Sequence, residues 1–224
     1  MIFKVNQLVG GCGLLVSICL STPALADFII INNPGFENPI LSDGLTSGTS
    51  TPSWSRIGAA TFLNPSTSHF VGGLASEGSN VATLSAAGSG QSISQDLAST
   101  TLQYGTYTFE FDVGDRLDQT FHNVNFNFLV NSTTIIPSSS FIAPTVPDGE
   151  FITWTFNYQI LDSGVFSGLI GDPTRIRFTA FGSSGGFSID NVRGSFTAVP
   201  EPTSFVAIWS VLVFVRTRRR FRVN

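Results

Sequence analysis

Apolar and polar residues alternate with a period of two over four segments in the second half of the chain, and no other feature restricts the fold as strongly. In TYTFEFDV, Tyr107, Phe109, Phe111 and Val113 fall on one side, with Thr106, Thr108, Glu110 and Asp112 on the other. NVNFNFLVN sets Val124, Phe126, Phe128 and Val130 against Asn123, Asn125 and Asn127. FITWTFNYQI sets Ile152, Trp154, Phe156, Tyr158 and Ile160 against Thr153, Thr155, Asn157 and Gln159, and RIRFTAF sets Ile176, Phe178 and Ala180 against Arg175, Arg177 and Thr179. Successive side chains of a strand point to opposite faces, so each segment has one apolar and one wet face. Such strands belong in antiparallel sheets packed face to face. Shorter strands are expected at residues 28–32, 60–63, 81–85, 92–97 and 187–198, with long Ser/Pro/Gly-rich loops at 42–53 and 138–149. Within the last strand, Ile189 and Val192 can share a face only across a β-bulge. No helical stripe or tandem repeat competes, and the expectation is all-β: an antiparallel β-sandwich of jelly-roll type.

The two ends of the chain read as addresses. Lys4, the short apolar run at 14–20 and the small-x-small pattern Ala24-Leu25-Ala26 form a signal peptide with cleavage after Ala26. A lipoprotein box at Val9-Gly10-Gly11-Cys12 is the alternative, but the apolar run follows that cysteine. Cys12 and Cys19 both lie in the removed segment, so the exported chain has no disulfide, no cysteine-held zinc and no cysteine nucleophile. At the other end, Pro200-Glu201-Pro202 precedes an apolar segment at 203–215 and an arginine-rich tail at 216–222. The purely apolar part is shorter than the ~20 residues of a helical span. The arginines would stay cytoplasmic as a stop signal.

That three-part C-terminus, behind a signal peptide, resembles the PEP-CTERM sorting signal of Gram-negative bacteria, with Pro200, Glu201 and Pro202 as its recognition motif. The same kind of tail carries an ice-binding protein C-terminal domain label. The resemblance implies transient inner-membrane anchoring, processing by an exosortase-type membrane protease, and delivery to the cell surface, outer envelope or extracellular matrix. The expected organisation is a signal peptide at 1–26, a β-sandwich domain at 27–198 and a sorting segment at 199–224.

Between the ends, five arginines (Arg56, Arg116, Arg175, Arg177 and Arg193) face fourteen acidic residues, for a net charge near −9 and no lysine. This excludes nucleic acid, which requires clustered positive charge, and lysine-based covalent catalysis. Asn33-Pro34-Gly35-Phe36-Glu37, Trp54, Gly78-Ser79-Asn80-Val81-Ala82 and Phe187-Ser188-Ile189-Asp190-Asn191-Val192 resemble the galactose-binding-like jelly roll of carbohydrate-binding modules. In that fold the first and last strands pair, which implies Glu37 near Asp190 and a structural Ca²⁺ between them, since hard oxygen donors suit that ion. Trp54, Tyr104, Arg116 and His122 are the candidate ligand-binding residues, aromatic and polar groups in or beside loops. An enzyme would have to be built from Glu110, Asp112, Asp115 and Asp118, with His69 and His122 the only histidines. Glu110 and Asp112 share a face about 7 Å apart, a spacing that a glycosidase can use. The leading expectation is nevertheless a non-catalytic exported surface or matrix protein that binds polysaccharide. A structural envelope protein without ligand and a carbohydrate-active, glycosidase-like enzyme are the alternatives.

Overall fold

A computed structural model describes residues 26–48, 51–85, 90–122, 124–136, 143–162, 164–180 and 184–199. In chain order the strands are β1 (Asp27–Ile29), β2 (Thr46–Ser47), β3 (Ser55–Ile57), β4 (Thr61–Leu63), β5 (Val81–Ser85), β6 (Gln91–Thr101) and β7 (Gly105–Gly114). They continue as β8 (Val124–Val130), β9 (Thr133–Ile135), β10 (Phe151–Ile160), β11 (Pro173–Ala180) and β12 (Gly186–Ala198). One sheet runs β10-β7-β12-β5-β4-β2, with β1 also paired to β12; the other runs β3-β6-β11-β8-β9. All ladders between these strands are antiparallel, and the two sheets form the jelly-roll-type sandwich that the alternation requires.

The alternation translates directly into burial. Tyr107, Phe109, Phe111 and Val113 of β7 are buried, as are Trp154, Phe156, Tyr158 and Ile160 of β10 and Ile176, Phe178 and Ala180 of β11. Their rings meet across the sandwich, where Phe111 packs edge-on to Phe178 at 4.7 Å and Phe109 lies 5.0 Å from Phe128, and within the larger sheet, where Phe111 stacks on Phe156 of the adjacent β10 at 5.6 Å. Offset and edge-to-face pairs of this kind add to the burial of their area. Leu129 departs from the alternation: it is buried although it faces away from Phe128 and Val130.

Strand β12 organises the functional end of the molecule. It pairs with β7 along its length, with β5 through residues 186–189 and with β1 through residues 194–196. Between those partners the register shifts at Asp190/Arg193, with Asn191 at a φ of 49° and the Val192 amide donating to the Pro34 carbonyl. The bulge lets Ile189 and Val192 both enter the core and leaves Asp190 facing out of the sandwich, opposite Asp112 of β7.

Candidate functional site

At the far end of β7 the chain is clamped beside the segment that leads into β10. The Asp115 amide donates to the Glu150 carbonyl at 3.1 Å, and the Gly149 amide donates to the Asp115 carbonyl at 2.8 Å. This parallel bridge places Asp115 directly against Asp148. Gly149 supplies the positive φ, 74°, that the Pro147-Asp148-Gly149 turn needs, and the Val71 amide caps its carbonyl. The Asp115 side chain is buried, with the Asp148 carboxyl beside it. Burial first, then the neighbouring Asp148 carboxyl, push Asp115 up to about 6.

The pair forms one wall of a cavity of about 370 Å³, whose other walls are Arg116, Leu117, Gln119, Thr120 and Phe121. Segment 119–122 is held there by reciprocal backbone bonds, Gly186 to the Thr120 carbonyl and His122 to the Gly186 carbonyl, each 2.9 Å. A side chain at Gly186 would run into the Leu84 carbonyl, so this wall requires glycine. A carboxylic acid that titrates at about 6 in a largely polar cavity with one aromatic ring is equipped to donate a proton to a small organic molecule.

A second acidic group lies on the outer face of the larger sheet. Asp190 is fully buried and accepts hydrogen bonds from the Glu77 amide at 2.8 Å and the Asn191 amide at 2.7 Å. A Cβ at Gly35 would stand 2.9 Å from Glu77 Oε2 and 3.6 Å from Asp190 Oδ1, so both carboxylates border the same glycine. Burial, opposed by the two amides and reinforced by Glu77 and Asp112, raises Asp190 to about 8. Glu37 accepts instead from the Ser79 and Asn80 amides, at 2.9 and 2.8 Å. β1 and β12 do pair, but the carboxylate beside Asp190 is that of Glu77, which the sequence motifs did not single out. The cluster also contains a buried acceptor with no donor, Asn80 Oδ1, whose Nδ2 is engaged by the Phe36 and Pro39 carbonyls. Hard oxygens, a crowded carboxylate pair and an orphaned acceptor are the chemistry that a Ca²⁺ ion satisfies. Among the described residues no three His, Cys, Asp or Glu side chains gather as a ready metal site.

The remaining candidates are dispersed. Trp54 lies in the core against Phe36 and Phe178, its indole N–H donating to the Asn33 carbonyl, so it presents no face to a ligand. Tyr104 precedes β7, whereas Asp115 follows that ten-residue strand, which puts them about 36 Å apart. Arg116 lines the cavity with its guanidinium committed to Asp118, and His122 follows Phe121 in the chain without lining it. Glu110 and Asp112 share a face as expected, but Arg193 reaches both, and Asp112 also accepts from Ser76, Thr153 and Asn191. Pro200, Glu201 and Pro202 lie outside the described residues.

Family comparison matches residues 27–194 to the HpiC1-like model, described as HpiC1 cyclase. The chain belongs to the HpiC1-like cyclase family. Its fold is similar to that of a Stig cyclase, Fisc, from Fischerella sp. TAU, solved with (3Z)-3-(1-methyl-2-pyrrolidinylidene)-3H-indole (22% identity, 78% of this chain, 100% of that one, TM-score 0.64). A cyclase from the same organism, solved with 4-(1H-indol-3-yl)butan-2-one, is similar at 21% identity over 77% of this chain and 99% of that one, TM-score 0.62. The tandem xylan-binding modules of Paenibacillus barcinonensis Xyn10C align less well, at 12% identity over 81% of this chain and 49% of that one, TM-score 0.52. A comparison with curated proteins returns no match.

Membership of a cyclase family overturns four expectations. The domain is not identified by PEP-CTERM sorting or as a carbohydrate-binding module; its leading role is not that of a non-catalytic binding or structural protein; it is an enzyme of a cyclase family, not a glycosidase; and exosortase, polysaccharide and membrane give way as its partners. The physical reason is that the motifs behind the carbohydrate-module resemblance encode the β1–β12 pairing and the bulge at Asp190, which unrelated activities can share.

Proposed function

We propose that the chain closes a ring on a small, apolar, indole-bearing substrate by proton transfer from Asp115. The carrying observation is buried Asp115 beside Asp148, its carboxyl pushed up to about 6, on the wall of a cavity that Leu117 and Phe121 also line. The family and the indole ligands of the two Fischerella enzymes support the substrate class. In the first step Asp115 delivers its proton to an electron-rich carbon or nitrogen of the substrate. The cation that results meets the charge of Asp148 and the ring of Phe121, both suited to stabilising it. An internal double bond attacks the cationic carbon and closes the ring. Loss of a proton to the Asp115 carboxylate then restores the pair, so the reaction consumes no acid.

The binding step is tested by titrating 4-(1H-indol-3-yl)butan-2-one into isotopically labelled protein. Saturable shifts are expected at residues 115–121 and 148–150. Saturable shifts confined to another surface, or none at millimolar ligand, would move the site elsewhere.

The outer acidic cluster serves a structural part in this reading. Glu37, Glu77, Asp190 and Asn80 Oδ1 would hold Ca²⁺, which supplies charge neutralisation and ties the loops at 33–37 and 76–80 to β12. Export through the segment ending at Ala26, with action beyond the cytoplasm, belongs to the same proposal and rests on the signal-peptide pattern alone.

A further inference from the structure

Strand β11 runs down the middle of the smaller sheet, and its polar residues look out from the sandwich. Arg177 stands at the centre of that outer face, between Ser94 of β6 and Asn127 of β8; Thr179, two residues on, is flanked by Ser92 and Asn125. Arg175, two residues back, is bonded through Nε and Nη2 to Asp96 on the neighbouring strand. That pair consumes the one carboxylate that the five strands of this sheet carry. Among the described residues no carboxylate pairs with Arg177, and its one hydrogen bond runs from Nη2 to Asn127 Oδ1 at 3.4 Å. The side chain is half-buried, and its Nε is buried with no acceptor. Thr179 is 5% exposed, and its hydroxyl is likewise buried without a partner. A guanidinium offers only donors, so it fixes the Asn127 amide with the oxygen toward Arg177. Asn127 Nδ2 then donates to Asn125 Oδ1 at 3.0 Å, which leaves Asn125 its NH₂ group to give. Each amide oxygen of this chain is engaged, and donors are left over around a cation. In a domain with fourteen acidic residues to five arginines, that surplus matches an anion arriving from outside.

We propose that this face binds a small oxyanion, the phosphate or carboxylate group of a small molecule, held by Arg177 and bordered by Ser94, Asn125 and Thr179. The planar fork of a guanidinium meets two such oxygens at once. The bound anion offsets the cost of a half-buried cation that the protein itself leaves unpaired. No ion pair restrains the Arg177 side chain, so a change of rotamer suffices to turn Nε outward. The site lies on the sheet opposite β7 and stands apart from the ring-closing cavity.

The test titrates inorganic phosphate and, separately, benzoate into the ¹⁵N-labelled full chain at constant ionic strength, read by NMR at the Arg177 Nε–H and the backbone amides. Saturable shifts at residues 92–94, 125–127 and 177–179 are expected with at least one of the two, and the one that responds names the oxyanion. In Arg177→Gln the affinity should fall about tenfold or more, as when a hydrogen bond to a charged group is lost. Arg193→Gln, on the other sheet, should bind as the parent does. The unaltered chain locates the site without any variant having to fold. No saturable shift with either anion, shifts confined to another surface, or an unchanged affinity in a folded Arg177→Gln variant would overturn the proposal. None of these outcomes depends on the ring-closing reading.

Discussion

Asp115→Asn is expected to lower ring-closing turnover of an indole-bearing substrate by about 10²- to 10⁴-fold, the usual contribution of a positioned general acid. Asparagine keeps the shape of the side chain, and the bonds of Asp115 to Glu150 and Gly149 are made by its backbone. The thermal midpoint should therefore stay close to that of the parent protein. The pH profile separates a lost proton donor from a merely distorted cavity. Asp115 is pushed up to about 6, and only its protonated form can donate. Turnover of the parent should fall about tenfold per pH unit above that value, whereas the residual turnover of the variant should be flat. Asp148→Asn removes the charge and carboxyl partner that help raise Asp115, so the break in the profile should move to lower pH. A steep profile that survives in Asp115→Asn would assign the proton to another group.

The second large effect concerns stability. Asp190 sits at about 8 in the folded chain, far above an unfolded carboxylate near 4. A raised carboxyl binds its proton on folding, so its contribution is fully present below about pH 4 and is lost as pH rises through about 8. Asp115 acts in the same direction, its share being lost as pH rises through about 6. In chelator, the thermal midpoint should therefore decline between pH 5 and 8. Calcium binds the ionised carboxylates and competes with the proton, so its stabilisation has the opposite dependence. Saturating Ca²⁺, at about 100 times its dissociation constant, should add about 2.7 kcal/mol at pH 8 and much less at pH 5. Differential scanning calorimetry with Ca²⁺ and with chelator at both pH values gives the comparison. A midpoint indifferent to Ca²⁺ at pH 8 would leave the proton, not a cation, as the partner of Asp190. Asp190→Asn should abolish the calcium response.

The sandwich was legible because burial of one face dictates period two; Trp154 to Ile160 obey it without interruption, and Tyr107 to Val113 with buried Asp112 as the one exception. The bulge was legible for the same reason, since Ile189 and Val192 are both apolar and three positions apart. The site was not. Asp115 is one of four acidic residues of one stretch with nothing to distinguish it, because its acidity is set by burial in the fold and then by Asp148, a residue from a loop 33 positions away. The parallel bridge that joins them leaves no periodic trace. Pro147-Asp148-Gly149 announces a turn, and a turn motif does not say what the turn will touch. Glu77 is likewise silent in the sequence: Glu37 sits in the more recognisable motif, and the Ser79 and Asn80 amides engage only its Oε1. The motifs point to the wrong family because they lie in the shared scaffold, while the acid pair proposed for ring closure is assembled only in three dimensions.

The central claim is that one carboxyl of the Asp115–Asp148 pair keeps its proton up to the edge of neutrality. Carbon-detected NMR of the aspartate carboxyls between pH 3 and 9 measures this directly. Asp115 should titrate near 6, and its midpoint should drop in Asp148→Asn. An Asp115 midpoint near 4, unmoved by that substitution, would contradict the account.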